Sequence, residues 1–273
     1  MGQRFELVLF STQAPFVREA VAAGVGSVMI DWERRGKSVR QAGADTEINA
    51  DTPEDLDRIR AATAARLCCR IESVGHETQA EVERAIAGGA DELFVPMVRT
   101  AADAERVLRM ADGRCCVSIL VETRDALTRL RDLADLPLAR IYVGLHDLAI
   151  ERRSRCLFEP LVDGTLDEIR RHFSQPFGFG GLTLPGCGAP IPCRLLIGEM
   201  ARLRCSFSFL RRSFRRDVRV RPMARALTHL LEAIDEAHRR SDEAVACDRR
   251  ELVRRVHAWP AQELPLGGSF AVA

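Results

Sequence analysis

Eight short apolar runs rich in β-branched and aromatic residues are spread along the 273-residue chain. Each is followed by a helical pattern, and no glycine-rich turn follows the first. Together these predict an α/β fold, a (β/α)8 TIM barrel with a C-terminal helical extension. An open doubly wound sheet would expect fewer strands and usually a glycine-rich first turn, where this chain has F-S-T-Q-A-P-F at 10–16.

The strand candidates are F-E-L-V-L-F at 5–10, S-V-M-I-D ending at Asp31, R-L-C-C-R-I around Arg70 and E-L-F-V-P-M-V around Val95. They continue with C-C-V-S-I-L-V-E ending at Glu122, R-I-Y-V-G-L-H-D ending at Asp147, P-F-G-F-G-G-L-T-L around Phe179 and C-S-F-S-F-L around Phe207. Helices are expected at 15–23, 52–66, 77–87, 101–110, 124–133, 166–173 and near 195–203. The T-P-E-D opening at 52–55 supplies a cap and a first-turn proline. From Arg221 to about Asp242 runs an amphipathic helix, followed by the charged segment A-C-D-R-R-E-L-V-R-R-V-H-A-W and a tail after Pro260 that reads as loosely docked. With no linker before Arg221, the division is a barrel at 1–220 and a helical extension with tail at 221–273.

A hydrophobic content of 47% suits a sizeable core, and a net charge of +1 gives no global field for nucleic acid or a membrane surface. Only one tyrosine is present to help stack bases. No secretory h-region and no apolar run near the ~20 residues of a membrane span are visible, so a cytoplasmic location is expected. The nine cysteines include no C-x-x-C pair. The vicinal pairs 68–69 and 115–116 alternate faces on a strand, so buried, inert thiols are expected. Lys37 is the only lysine among 40 basic residues and lies in the polar E-R-R-G-K-S-V-R-Q. Nothing there would lower its pKa, which argues against Schiff-base chemistry.

Active sites of such barrels lie at the C-terminal ends of the strands. Asp31 and Glu33 end the second strand, Arg70 the third, Glu122 the fifth and Asp147 the sixth. Strands five and six are neighbours, so Glu122 and Asp147 should converge. A shared cation would relieve their repulsion, and an all-oxygen set suits Mg²⁺ or Mn²⁺. Arg70 could hold a carboxylate or a developing enolate oxygen. The plainer alternative stays open: Glu122-Thr123 and Asp147-Leu148 would cap the following helices, and Arg70 would be a structural ion-pair partner.

The motifs I-D-W-E at 30–33, C-R-I around Arg70, F-V-P-M-V at 94–98, V-E-T at 121–123 and G-L-H-D-L at 144–148 resemble, in order and spacing, the HpcH/HpaI aldolase and citrate-lyase beta-chain family. R-Q-A-G-A-D-T at 40–46 and P-F-G-F-G-G at 176–181 resemble a bacterial branch of it. The resemblance implies a metal-dependent carbon–carbon lyase acting through a metal-bound enolate of a 2-oxo acid, with Mg²⁺ or Mn²⁺ on Glu122 and Asp147. It also implies a homo-oligomer with C-terminal helices exchanged or packed between subunits. Arg70 would contact the substrate's carboxylate or enolate oxygen, and the backbone N–H groups of Gly144, Leu145, His146 and Asp147 would bind its carboxylate.

Arg34 stands where relatives carry a histidine or aspartate, and it cannot accept a proton near neutral pH. Asp31 and Glu33, on one strand face, are therefore the candidate bases. Glu72, often asparagine in relatives, adds negative charge near the site. Gly180 and Gly181, with Gly178, form a candidate close-approach loop for a phosphate or carboxylate; packing is the alternative. Gln41, Thr46 and Asn49 are weaker substrate candidates. An acyl-CoA lyase of the citrate-lyase or malyl-CoA type, or a barrel used for binding or assembly, are the other readings.

Overall fold

The computed structural model describes residues 5–34, 51–154, 156–219 and 222–258. Nine parallel strand segments form one sheet: β1 (Glu6–Phe10), β2 (Ser27–Asp31), β3 (Arg66–Arg70), β4 (Glu92–Val95), β5 (Cys116–Val121), β6 (Ile141–Val143), β7 (Phe177–Phe179), β8 (Gly181–Leu182) and β9 (Phe207–Leu210). Their order, β7-β6-β5-β4-β3-β2-β1-β9-β8, starts and ends on two consecutive pieces of chain. β7 pairs with β6, while β8 pairs with β9. Between them Gly180 takes φ +57°, a bend that suits glycine. One bent seventh strand thus closes an eight-stranded barrel, as the sequence pattern expects.

Two clusters share the apolar residues. The larger lies between strands and helices, and takes Leu7, Ile30, Leu67, Leu93, Ile119 and Ile141 from the strands. The smaller is made by Val8, Met29, Cys68, Phe94, Leu120, Tyr142, Phe207 and Phe209. These alternate with the first set along the strands, so they line the barrel interior. Tyr142 stacks on Phe209 at 3.7 Å between centroids. This aromatic plug separates two polar ends.

Helices intervene as expected, with local corrections. Thr52 caps α2 (Pro53–Ala62; α1 is Ala14–Ala22) in a capping box with Asp55, and Thr100 does the same with Asp103 for α4 (Ala101–Ala111; α3 is Thr78–Ala87). The expected helix 124–133 is broken into Arg124–Leu127 and Leu130–Ala134. The charged segment after Asp242 is helical, Asp242–Ala258, and follows a shorter amphipathic helix at Met223–His238. Both pack on the helix Cys193–Arg202. Cys116 and Cys247 are exposed, unlike the buried thiols expected; Cys116 opens a strand at its solvent end. Lys37, Gln41, Thr46, Asn49, the 40–46 motif and the tail after Pro260 lie outside the described residues.

Candidate active site at the C-terminal mouth of the barrel

β5 ends at Val121, and the next side chain, Glu122, is 2% exposed. Its Oε1 accepts the N–H of Met97 at 2.9 Å, and Met97 holds a left-handed φ of +54°. Such a conformation is costly for a non-glycine residue. Asp147 is 8% exposed, and its charge is felt directly by Glu122. It does not end a strand as the sequence suggests. β6 stops at Val143, Gly144 is the N-cap, and Asp147 sits in the first turn of the helix Leu145–Arg152.

Gly144 makes this meeting possible. A Cβ there would lie 2.0 Å from Glu122 Oε2, so any other residue would displace the carboxylate. The capping alternative does not describe Glu122. Thr123, not Glu122, caps the next helix by accepting from Ala126 N at 3.1 Å, and the N-cap of the helix Leu145–Arg152 is Gly144, which has no side chain to offer. Burial, Asp147 and Glu33 push the Glu122 pKa well above the usual carboxylate range, against the pull of Met97 N–H and Arg70. Two buried acids close enough for the charge of one to act on the other form a donor set that fits a hard divalent cation. Among the described residues no group of three or more His, Cys, Asp or Glu side chains surrounds one point.

Arg70 ends β3 and is gripped by Asp31 at the end of β2. Its Nε and Nη2 donate to the two Asp31 oxygens at 2.8 and 2.7 Å. Nε also lies 3.4 Å from Glu33 Oε2, and the guanidinium sits 5.3 Å from the Phe10 ring centroid. Burial opposes the charge on Arg70, but Asp31, Glu33 and a smaller contribution from Glu122 outweigh it and push its pKa up. Both oxygens of Asp31 are therefore engaged in orienting Arg70, whereas Glu33 has the longer contact.

The backbone N–H groups of Leu145, His146 and Asp147 fall in the first turn of their helix, where no carbonyl four residues back serves them. His146 is mostly buried, with Nε2 unpartnered, and burial lowers its pKa. Gly180 bends the seventh strand. Gly178 and Gly181 are close-packed, their Cβ positions 2.4 Å from Phe207 O and 2.9 Å from Arg211 Cβ.

Arg34 is turned to loop structure: its N–H donates to Glu72 Oε1 at 3.0 Å and its Nη2 to Asp51 O at 2.5 Å. The sequence reading missed three residues. Met97 acts through its backbone, Asp51 accepts Asp31 N–H at 2.8 Å, and Arg211 follows β9. Only the proline at 96 hinted at a special turn for Met97; Asp51 hid in a helix-start motif.

A parallel barrel with buried carboxylates and an ion-paired arginine at this mouth falls in the class of (β/α)8 enzymes, which work at that end. The chain belongs to the HpcH/HpaI aldolase/citrate lyase family, which matches residues 4–155. Among solved structures it is similar to an HpcH/HpaI aldolase/citrate lyase family protein from Burkholderia cenocepacia J2315. That likeness has a TM-score of 0.58 at 14% identity, over 86% of this chain and 95% of the other. At that identity it supports the fold alone. No curated protein matches the chain. Family membership gives lyase as the coarse functional class. No helix among the described residues is long and apolar enough to cross a membrane.

Proposed function

We propose that the chain is a divalent-metal-dependent carbon–carbon lyase acting on a 2-oxo acid, with Glu122 and Asp147 as ligands to Mg²⁺ or Mn²⁺. The observation that carries this reading is the buried Glu122 carboxylate, admitted beside Asp147 by the missing side chain of Gly144. When bound, the cation would act as the Lewis acid that a Schiff-base lysine supplies in other aldolases. The protein groups do the rest. Arg70, fixed by Asp31, donates to the substrate oxygen where negative charge develops. The N–H groups of Leu145, His146 and Asp147 orient the carboxylate. Glu33 is the proton acceptor of this reading, since Asp31 is committed to Arg70.

The same reading takes 1–220 as the barrel and 221–273 as a helical extension packed between subunits of a cytoplasmic homo-oligomer. Sedimentation of the chain truncated after 220 tests that part: a monomer is expected. The central test is Mn²⁺ titration of wild type, Glu122→Ala, Asp147→Ala and Gly144→Ala, with pyruvate release from 4-hydroxy-2-oxo acids measured in parallel. One Mn²⁺ per chain in wild type and none in the first two variants is expected. Equal Mn²⁺ binding by all four would overturn it, and release of CoA from malyl-CoA without pyruvate formation would move the assignment to an acyl-CoA lyase.

A further inference from the structure

We infer that Arg211 is the cation of an anion-binding subsite at the barrel mouth, which takes a second carboxylate or a phosphate borne by the substrate. As a statement about substrate class this rests on the function proposed above. Phe207 and Phe209 line the barrel interior, so the two-residue period of a strand turns residue 211 toward the same side. The backbone is fixed there, with Arg211 N donating to Leu182 O at 2.9 Å.

Two glycines make room for the side chain. A Cβ at Gly181 would stand 2.9 Å from Arg211 Cβ, and one at Gly188, which has φ +107°, would stand 2.5 Å from Arg211 Nη2. Arg211 thus runs beneath the loop at 185–192, where its Nε is shut off from solvent and has no hydrogen-bond partner.

Its surroundings do not complete it. Among the described residues no carboxylate forms an ion pair with Arg211. The nearby polar groups are already used: Thr183 Oγ1 donates to Asp217 Oδ2 at 2.5 Å, and Cys193 Sγ donates to Thr183 O at 3.1 Å. The first N–H groups of the helix Cys193–Arg202 are served by Cys187 O, Pro185 O and Pro192 O, so that helix end is not the site. By contrast Arg66, Arg70 and Arg140, which among the described residues are also turned into the barrel, all form ion pairs with carboxylates, although Arg66 Nε likewise makes no hydrogen bond. Arginine cannot shed its proton to escape burial. A buried donor left unsatisfied is costly, and an anion arriving with the substrate would supply the missing acceptor through a two-pronged contact.

The test uses the full chain in EDTA, so that it is independent of metal binding. Thermal midpoints and calorimetric titrations are recorded with succinate, glutarate and inorganic phosphate, against acetate at equal ionic strength. Saturable binding of at least one dianion is expected in wild type, with a midpoint that rises with its concentration. Arg211→Met should abolish the rise yet be at least as stable as wild type in anion-free buffer, an outcome that a purely structural arginine would reverse. Gly188→Ala and Arg211→Lys should bind at least about tenfold more weakly, while the exposed Arg225→Gln should respond as wild type does. A response to phosphate alone assigns a phosphorylated substrate, and a response to the dicarboxylates alone a dicarboxylic one. An Arg211→Met response within twofold of wild type, or no saturable binding by wild type, would overturn the subsite. Mn²⁺ binding by the same wild-type protein shows separately whether the lyase reading stands.

Discussion

At the N-terminal end of the barrel interior, Glu6 and Glu92 meet Arg66 and Arg140, two charges against two. Arg140 spans Glu6 and Glu92 at 3.0 and 3.1 Å, and Arg66 reaches Glu92 at 2.9 Å. Ser27 donates to Glu6 and Ser118 to Glu92. At the C-terminal end, across the aromatic plug, Glu122 feels the charge of Asp147 and accepts the N–H of Met97, and among the described residues Arg211 meets no carboxylate. Both ends are strongly polar. At the lower one every buried charge stands in an ion pair with its opposite, whereas the upper one brings acids near each other at Glu122 and leaves Arg211 outside any ion pair among the described residues. Self-completed buried charge serves structure; incomplete buried charge marks where ligands enter.

Removing a charge from each end should break the symmetry most visibly. Glu92→Ala leaves Arg66 without its partner and Arg140 with only Glu6, so a loss of roughly 3 kcal/mol or more is expected. Glu122→Gln in metal-free protein should raise stability by about 1 kcal/mol, because it ends a repulsion between buried acids. Urea unfolding of both variants in EDTA decides this. Similar losses in the two would make the upper end structural after all.

The next effect is smaller and concerns geometry. Arg70→Lys keeps the charge but loses the two-pronged grip of Asp31, which sets the direction of its N–H groups. Turnover should fall by about a hundredfold, with Mn²⁺ affinity within a few-fold of wild type. An unchanged turnover in pyruvate-release assays would remove Arg70 from the reaction.

These contrasts also separate what the sequence disclosed from what it hid. Asp31, Arg70 and Glu122 were legible because strand periodicity fixes which residues reach the C-terminal mouth, and a barrel makes strands two and three, or five and six, neighbours. Asp147 was placed at the right mouth on the wrong element, since a glycine followed by L-H-D-L can end a strand or begin a helix. The roles of Gly144, Met97 and Arg211 depend on sub-ångström clearance or backbone dihedrals, which leave no periodic trace. The lower network was equally hidden: Glu6, Arg66, Glu92 and Arg140 look like ordinary charges at strand ends until the barrel closes around them.

Asp51 gives the finest test, because its carboxylate joins the upper end through the N–H of Asp31. Burial, helped by the charges of Asp31 and Asp55, lifts its pKa from 3.8 to about 6, against the N–H of Asp31 and the charge of Arg34. Below pH 3.8 both folded and unfolded chains hold the proton, and the site costs nothing. Between that value and about 6 the unfolded chain releases it while the folded chain keeps it, so stability falls as pH rises. Above that window the full cost is present. A completely buried group with this displacement would cost roughly 3 kcal/mol; partial exposure and solvent screening reduce this to about 1 kcal/mol. Asp51→Asn keeps an oxygen for Asp31 N–H and cannot ionise. It should therefore match wild type at pH 4 and exceed it by about 1 kcal/mol at pH 7 in urea unfolding. An equal difference at both pH values would mean that the charge on Asp51 is matched by other groups at this mouth, and that the penalty on a buried acid is confined to Glu122.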